Sequence, residues 1–187
     1  MRVIAGSAKG RTLDVPRGGA TRSATDRIRE TLFAILEPIL GDARVLDLFA
    51  GAGTLGIEAL SRGSASVTFV ERSAEALKAL RKNIASTGFD DCSEVVAANV
   101  LAFLEQRVAG PYDVVFCDPP FADVAILEAT LAHSRLVGAL APEAQVVARM
   151  LRKHQPRVPE GARVLRVKEI GEETLLFLRY DGVRGGG

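Results

Sequence analysis

Cysteine and histidine are scarce. Cys92 and Cys117 are the two cysteines, and His133 and His154 the two histidines, in 187 residues. Two cysteines build no disulfide framework, and their spacing suits no metal knot, so no metal site is expected. Long apolar runs are missing as well: no stretch approaches the ~20 residues that cross a bilayer. The opening residues Met1-Arg2-Val3-Ile4-Ala5-Gly6 hold no apolar secretory core, so the sequence predicts a cytoplasmic protein with no membrane partner. What remains is ordinary for a globule, 48% apolar and 25% charged. A chain of this length suits one domain with a short appendage, and it buries most of its unfolded surface without a covalent staple.

The net charge of +1 conceals an asymmetry. Residues 1–30 carry seven basic and three acidic side chains, a local charge of +4, which leaves −3 for the remainder. A basic arm on a slightly acidic body suits a polyanionic partner. The exposed-cation candidates for nucleic-acid contact are Arg2, Lys9, Arg11, Arg17 and Arg22.

The arm reads as two short strands, Arg2–Ala5 and Arg11–Val15, turned at Gly6, Ser7 and Gly10, and followed by a Pro16-Gly18-Gly19 linker. A helix follows, with Thr25 as N-cap, an apolar stripe through Ile28, Leu32, Ile35, Leu36 and Ile39, and Gly41 at its end. Strands and helices then alternate. Strands are expected at 44–50, 66–71, 93–98, 112–118 and 145–150, and helices at 54–62, 74–87, 101–107 and 124–140. Such alternation implies right-handed βαβ units and a parallel sheet covered on both faces. Residues 163–169 and 174–180 read as a hairpin, so at least one late strand runs antiparallel.

In an open α/β sheet, ligands bind beyond the carboxyl ends of the strands. The first such end is Asp47-Leu48-Phe49-Ala50-Gly51-Ala52-Gly53-Thr54-Leu55-Gly56. Its glycine spacing satisfies the dinucleotide fingerprint. Asp47, four residues before Gly51, and the bulky Phe49 argue otherwise. An acid there repels a pyrophosphate and favours a cationic ligand such as S-adenosylmethionine, which carries a sulfonium and an amine and no phosphate. Ala50, Gly51, Gly53 and Thr54 form the turn toward that ligand. Glu71, twenty positions after Gly51 and followed by Arg72, suits ribose hydroxyls; Asn99, beside Val100, suits an adenine amine.

The fourth strand end reads Asp118-Pro119-Pro120-Phe121. Two prolines fix two φ angles and remove two donors, and Asp118 is pushed to an extended conformation. The loop therefore presents acceptors only. Fixed acceptors on the hydrogens of a nucleobase amine hold its nitrogen in line with a methyl donor and offset developing charge. Phe121 is placed to stack on the base. Cys117, inside the apolar run Val114-Val115-Phe116-Cys117, reads as a small core residue rather than a nucleophile.

Together, Asp47-x-Phe49-Ala50-Gly51-x-Gly53-x-x-Gly56 and Asp118-Pro119-Pro120-Phe121 resemble a class I, S-adenosylmethionine-dependent N-methyltransferase. Gly10-Arg11-x-Leu13, Thr25-Asp26-Arg27-Ile28-Arg29-Glu30-Thr31-Leu32-Phe33 and Leu55-Gly56-Ile57-Glu58-Ala59-Leu60-Ser61-Arg62-Gly63 are similar to the RsmD family of bacterial 16S rRNA guanine-N2 methyltransferases. The resemblance spans residues 1 to about 150. It implies a Rossmann-like α/β domain over 21–187, with a seven-stranded, mostly parallel sheet, a C-terminal antiparallel hairpin and an rRNA-binding β-hairpin extension over 1–20. It places S-adenosylmethionine at Asp47, the Gly51–Gly53 turn, Glu71 and Asn99, with Thr25 and Arg29 near its methionine end. It places the target amine, guanine 966 of 16S rRNA, at Asp118–Phe121, and implies a monomer acting on 16S rRNA or a small-subunit assembly intermediate. The chain departs from the family twice: Ser23 follows Arg22 where proline is usual, and Arg149 stands in the fifth strand where a glutamate is usual. Three other functions fit parts of the pattern: an adenine-N6 methyltransferase on DNA or RNA, a nicotinamide-dependent oxidoreductase, and a non-catalytic RNA-binding module.

Overall fold

The computed structural model describes residues 1–16, 25–106, 108–120, 123–154 and 156–181. The expected sites Arg17, Arg22 and Phe121, the Ser23 departure and the boundary between residues 20 and 21 lie outside these residues.

Thr25 caps the first helix, α1 (Asp26–Leu40), by accepting from the Ile28 N–H. Its stripe of Ile28, Leu32, Phe33 and Leu36 is buried. Phe33 meets Phe116 edge-to-face at 5.9 Å, which seats the helix on the sheet. The alternation then runs β1 (Arg44–Leu48), α2 (Thr54–Ser61), β2 (Ser66–Glu71), α3 (Ala74–Thr87), β3 (Ser93–Ala97), α4 (Val100–Leu104), β4 (Tyr112–Cys117), α5 (Val124–Leu131), α6 (Ser134–Gly138), β5 (Leu140–Leu151), β6 (Ala162–Ile170) and β7 (Glu173–Tyr180).

The seven strands form one sheet in the order β3-β2-β1-β4-β5-β7-β6. β3, β2, β1, β4 and β5 pair in parallel, and β7 pairs antiparallel with both β5 and β6. The sheet separates two apolar layers. α1, α2 and α3 pack on one face with Val45, Val114, Phe116, Val147 and Phe177; α4, α5 and α6 pack on the other with Leu46, Val115, Val146 and Leu178. The chain leaves β1 toward β2 on one side and returns to β4 on the other. The carboxyl ends of β1 and β4 therefore diverge into the crevice where ligands bind in such sheets.

Three expectations are corrected. The helix expected over 124–140 is two helices, because His133 accepts the Arg135 N–H through Nδ1 and restarts the chain as α6. The fifth strand begins at Leu140, five residues early; the exposed Pro142 and Glu143 had hidden its period. The N-terminal hairpin keeps one ladder bridge, Arg2 with Thr12, rather than two strands.

That N-terminal turn is built into the domain core. Val3, Ala8 and Leu13 are buried in the α1 layer. Glu58, fully buried on α2, accepts the Ile4 and Ala5 N–H groups at 2.8 and 3.0 Å and pairs with Arg62 at 2.8 Å. Gly6 (φ +82°) lies against Ser61, whose carbonyl oxygen would stand 1.7 Å from any added Cβ. Only glycine permits that approach.

Candidate active site

A cavity of about 520 Å³ opens at the carboxyl ends of β1, β2, β3 and β4, a volume typical of small-molecule sites. β1 ends at Leu48 because Phe49 turns the chain at φ +63°, a strained choice for a bulky residue and of the kind found at functional sites. Phe49, Ala50, Gly51 and Thr54 then reach the cavity wall. Gly56 has its own steric reason: an added Cβ would meet the Phe69 ring at 2.2 Å, so glycine lets α2 lie close to β2.

The three glycine N–H groups of the turn are committed within the protein. The Gly51 N–H donates to Glu71 Oε2 at 2.8 Å, the Gly53 N–H to the Ala50 carbonyl at 2.8 Å, and the Gly56 N–H to Asp47 Oδ2 at 3.0 Å. Glu71 Oε1 accepts from the Arg72 and Ser73 N–H groups at 2.8 and 2.7 Å. Glu71 therefore ties the glycine turn to the β2–α3 loop, and Oε2 keeps one acceptor position for a ligand hydroxyl. These three N–H groups are thereby turned to internal acceptors rather than offered to a pyrophosphate. Among the described residues the wall carries four carboxylates, Glu71, Glu75, Asp118 and Asp123, against the single guanidinium of Arg72. That balance disfavours a dinucleotide and suits a cation.

Asp118 follows β4 directly, with Pro120 beside it on the wall. Arg149, on the neighbouring β5, donates from Nε to Asp118 Oδ1 at 2.8 Å, and Glu173 of β7 stands 3.6 Å from the same Nε. Burial pushes the Asp118 carboxyl up to about 6; Arg149 opposes that rise and Glu173 adds to it. The arginine that departs from the family pattern is thus the partner of Asp118.

Several sequence-expected residues sit elsewhere. Asp47 is 1% exposed and lies beneath the cavity floor rather than on its wall. Burial raises its carboxyl to about 8, against the Gly56 hydrogen bond, with Asp118 and Glu71 adding to the rise. Burial thus favours its protonated form at neutral pH, where the sequence led to an expected anion. Arg29 has a fully buried side chain that pairs with Glu58 and Asp26 and donates to the Arg2 carbonyl, so it anchors the N-terminal turn. Thr25 is spent as the α1 cap and Gly53 packs inward on Leu80, both off the wall. Asn99 and Val100 do line the cavity, with Asn99 Oδ1 capping α4 through the Leu101 N–H. Arg2, Lys9 and Arg11 are exposed on the N-terminal turn. Cys117 is fully buried, and burial with two neighbouring carboxylates pushes its thiol up, so it supplies no thiolate.

Sequence reasoning missed Asn83. It is 1% exposed on α3, exchanges hydrogen bonds with the Asp14 backbone at 2.8 Å in both directions, and donates to the Ala52 carbonyl at 2.9 Å. It thereby sets Val15 and Pro16 on the cavity wall. A polar residue three positions after Leu80, on an otherwise apolar stripe, was the available signal.

The sheet order, the glycine turn and the Asp118-Pro119-Pro120 loop define a class I methyltransferase architecture. The solved structure of the Escherichia coli protein yhhF, described as a methyltransferase, superposes with a TM-score of 0.86 at 37% identity, covering 97% of this chain and 98% of that one. The family described as conserved hypothetical protein 95 matches residues 1–179. The ribosomal RNA small subunit methyltransferase D of Escherichia coli K12 is 40% identical over 173 residues, 92% of this chain and 86% of the relative. The protein of the same name from Haemophilus influenzae is 42% identical over 123 residues, 65% of this chain and 64% of the relative. The chain belongs to this family, the RsmD family of rRNA methyltransferases. Among the described residues no His, Cys, Asp and Glu cluster could hold a metal ion, and no helix is long and apolar enough to cross a membrane.

Proposed function

We propose that the protein transfers a methyl group from S-adenosylmethionine to the exocyclic N2 of a guanine in 16S rRNA, guanine 966 by family resemblance, during small-subunit maturation in the cytoplasm. The observation that carries this reading is Asp118: a carboxylate on a doubly proline-fixed loop, facing a cavity rich in acceptors and poor in cations. The cavity residues fit S-adenosylmethionine by charge and by donor set. When bound, it supplies an electrophilic methyl group on a sulfonium. Glu71 Oε2 takes a ribose hydroxyl, and Asn99 and Val100 border the adenine. Phe49 and Ala50 close the wall, and the acidic lining favours the sulfonium and the amine.

Arg149 holds Asp118 at Oδ1, and the Asp118 carboxylate would accept from the guanine amine. This hydrogen bond turns the nitrogen lone pair toward the methyl carbon. With the methyl donor bound, Asp118 would offset the positive charge that develops on the amine nitrogen and take its departing proton. A carboxyl near 6 suits that exchange at neutral pH. Phe121 stacks on the base. The N-terminal segment, residues 1–20, contacts RNA phosphates through Arg2, Lys9, Arg11, Arg17 and Arg22, and the protein acts as a monomer.

The test is nucleoside mass spectrometry of small-subunit rRNA incubated with the protein and labelled S-adenosylmethionine. N2-methylguanosine is expected with the wild type and not with Asp118→Ala. A label found as N6-methyladenosine would move the reading to adenine, and no label in RNA would overturn it.

A further inference from the structure

A second basic stretch has no role in the site just described. Residues 152–168 carry six basic side chains and one acidic one, a local charge of +5. With +4 in residues 1–30, the rest of the chain is left at −8. Two cationic segments far apart in sequence therefore sit on an acidic body.

The fold brings the second stretch to the catalytic end; the first reaches the cavity at Val15 and Pro16, while its Gly6–Ala8 turn packs on Ser61 at the far end of α2. β5 and β6 run in the same direction, with β7 antiparallel between them, so the end of β6 lies at the same end of the sheet as Asp118. Register fixes the side. Arg149 pairs with Leu175, which pairs with Lys168; Val147 pairs with Phe177, which pairs with Arg166. Directly opposed residues share a face, so Lys168 and Arg166 stand on the α1 face with Arg149. At the ~4.8 Å spacing of paired strands, Lys168 lies on the order of 10 Å from Arg149. Lys153 follows β5 at the same end, beside the β6–β7 turn.

Arg166, Lys168 and Lys153 are exposed and have no ion-pair partner among the described residues. Arg152 and Arg163, by contrast, are neutralised by Glu169 at 3.1 Å and Asp181 at 3.1 Å. β6 is also the edge of the sheet, where unpaired backbone groups add donors. We infer that Arg166, Lys168 and Lys153 form a second phosphate-binding surface, on the side of Asp118 opposite the N-terminal turn, so that the RNA is held from both sides with the target base between. The occupant is the RNA backbone, because the surface is cationic and runs along one edge of the sheet. This inference rests on the rRNA reading above.

The experiment compares the full-length wild type with Arg166→Gln/Lys168→Gln in binding to transcribed 16S rRNA over a salt series. A charge-matched control, Arg44→Gln/Arg163→Gln, changes two arginines at the opposite end of the sheet. Each lost phosphate contact should lower the log–log salt slope by about 0.7–0.9. The double variant should therefore bind at least tenfold more weakly near 0.1 M salt, with a slope flatter by about 1.5. Its thermal unfolding and S-adenosylhomocysteine binding should match the wild type. The control should keep the wild-type affinity and slope.

An unchanged affinity and slope in the double variant would overturn the proposal, and so would an equal loss in the control, which would reduce the effect to net charge. Weakened methylation of an assembled particle with unchanged binding to naked RNA would assign the surface to a protein partner and also overturn it. If the wild type itself neither binds nor methylates rRNA, it is the functional reading that fails.

Discussion

Arg149 Nε donates to Asp118 Oδ1 over 2.8 Å across adjacent parallel strands, and the arginine side chain is only 3% exposed. The pair is out of water on one side and faces the cavity on the other. A buried guanidinium beside a buried carboxylate offsets the desolvation cost of both, and removal of one partner leaves the other uncompensated. Asp118 therefore owes its ionisation near neutral pH to Arg149.

Arg149→Met should raise the Asp118 carboxyl above its present value of about 6, since burial and Glu173 would act unopposed. Asp118 must be ionised to accept from the amine, so the acid limb of the pH–rate profile should move upward. A shift of one unit lowers turnover well below that pKa by about tenfold, with recovery at alkaline pH. Arg149→Lys should shift the limb less. An acid limb unmoved in Arg149→Met would show that the pair does not govern Asp118.

Asp118→Ala should lower kcat by about 10²–10⁴, the range associated with a positioned acid–base group. Cofactor affinity should change little, because Glu71, Asn99 and the glycine turn remain. Single-turnover methylation and calorimetric binding of S-adenosylhomocysteine separate the two quantities. Loss of binding with unimpaired turnover per bound complex would reverse the assignment.

Asp47 gives stability a pH dependence of definite sign. Its carboxyl titrates near 3.8 when unfolded and near 8 in the fold. Between those values the folded chain holds a proton that the unfolded chain has released, so stability falls as pH rises through that window. Asp118, also raised, has the same sign up to about 6. In Asp47→Asn the decline between pH 5.5 and 8.5 should shrink by a few kcal/mol, each pKa unit being worth about 1.4 kcal/mol. Urea unfolding of both proteins across that range measures it, and parallel stability curves would refute the shift.

Glu58→Gln should loosen the N-terminal turn. The substitution leaves Arg29, whose side chain is fully buried, without its buried counter-charge and weakens the acceptors of the Ile4 and Ala5 N–H groups. A broken buried pair costs about 3–5 kcal/mol. Hydrogen exchange should accelerate at Ile4 and Ala5 before it does in β1 or β4. Uniform acceleration across the domain would mean that the turn has no independent stability.

Much of the architecture was legible because it follows from local pattern. The strands and helices from Arg44 to Thr87 stand within two residues of their sequence-expected limits, since each apolar run is bounded by a glycine or a cap. The N-cap of α1 and the late hairpin were legible for the same reason. The helix expected over 124–140 was not. Val137 and Leu140 continue the apolar period, and nothing local reveals that His133 breaks it or that Leu140 joins a strand against Tyr112.

Within the site, residue types were legible and their partners were not. The residues themselves mark Glu71, Asn99 and Asp118 as strand-end polar groups, because acids and amides after apolar runs have few other places to go. Three features depend on neighbours 20 to 54 positions away: Gly51 held by Glu71, Arg149 by Asp118, and the N-terminal turn by Glu58. Asp47 shows the difference most sharply. Its place before the glycines was determined by sequence, but its protonation was decided by burial, a property of the assembled layers. The glycine spacing alone left open a phosphate or a sulfonium ligand. Tertiary structure weighs against the phosphate, because folding commits the Gly51, Gly53 and Gly56 N–H groups to Glu71, Ala50 and Asp47 and places four carboxylates on the described cavity wall.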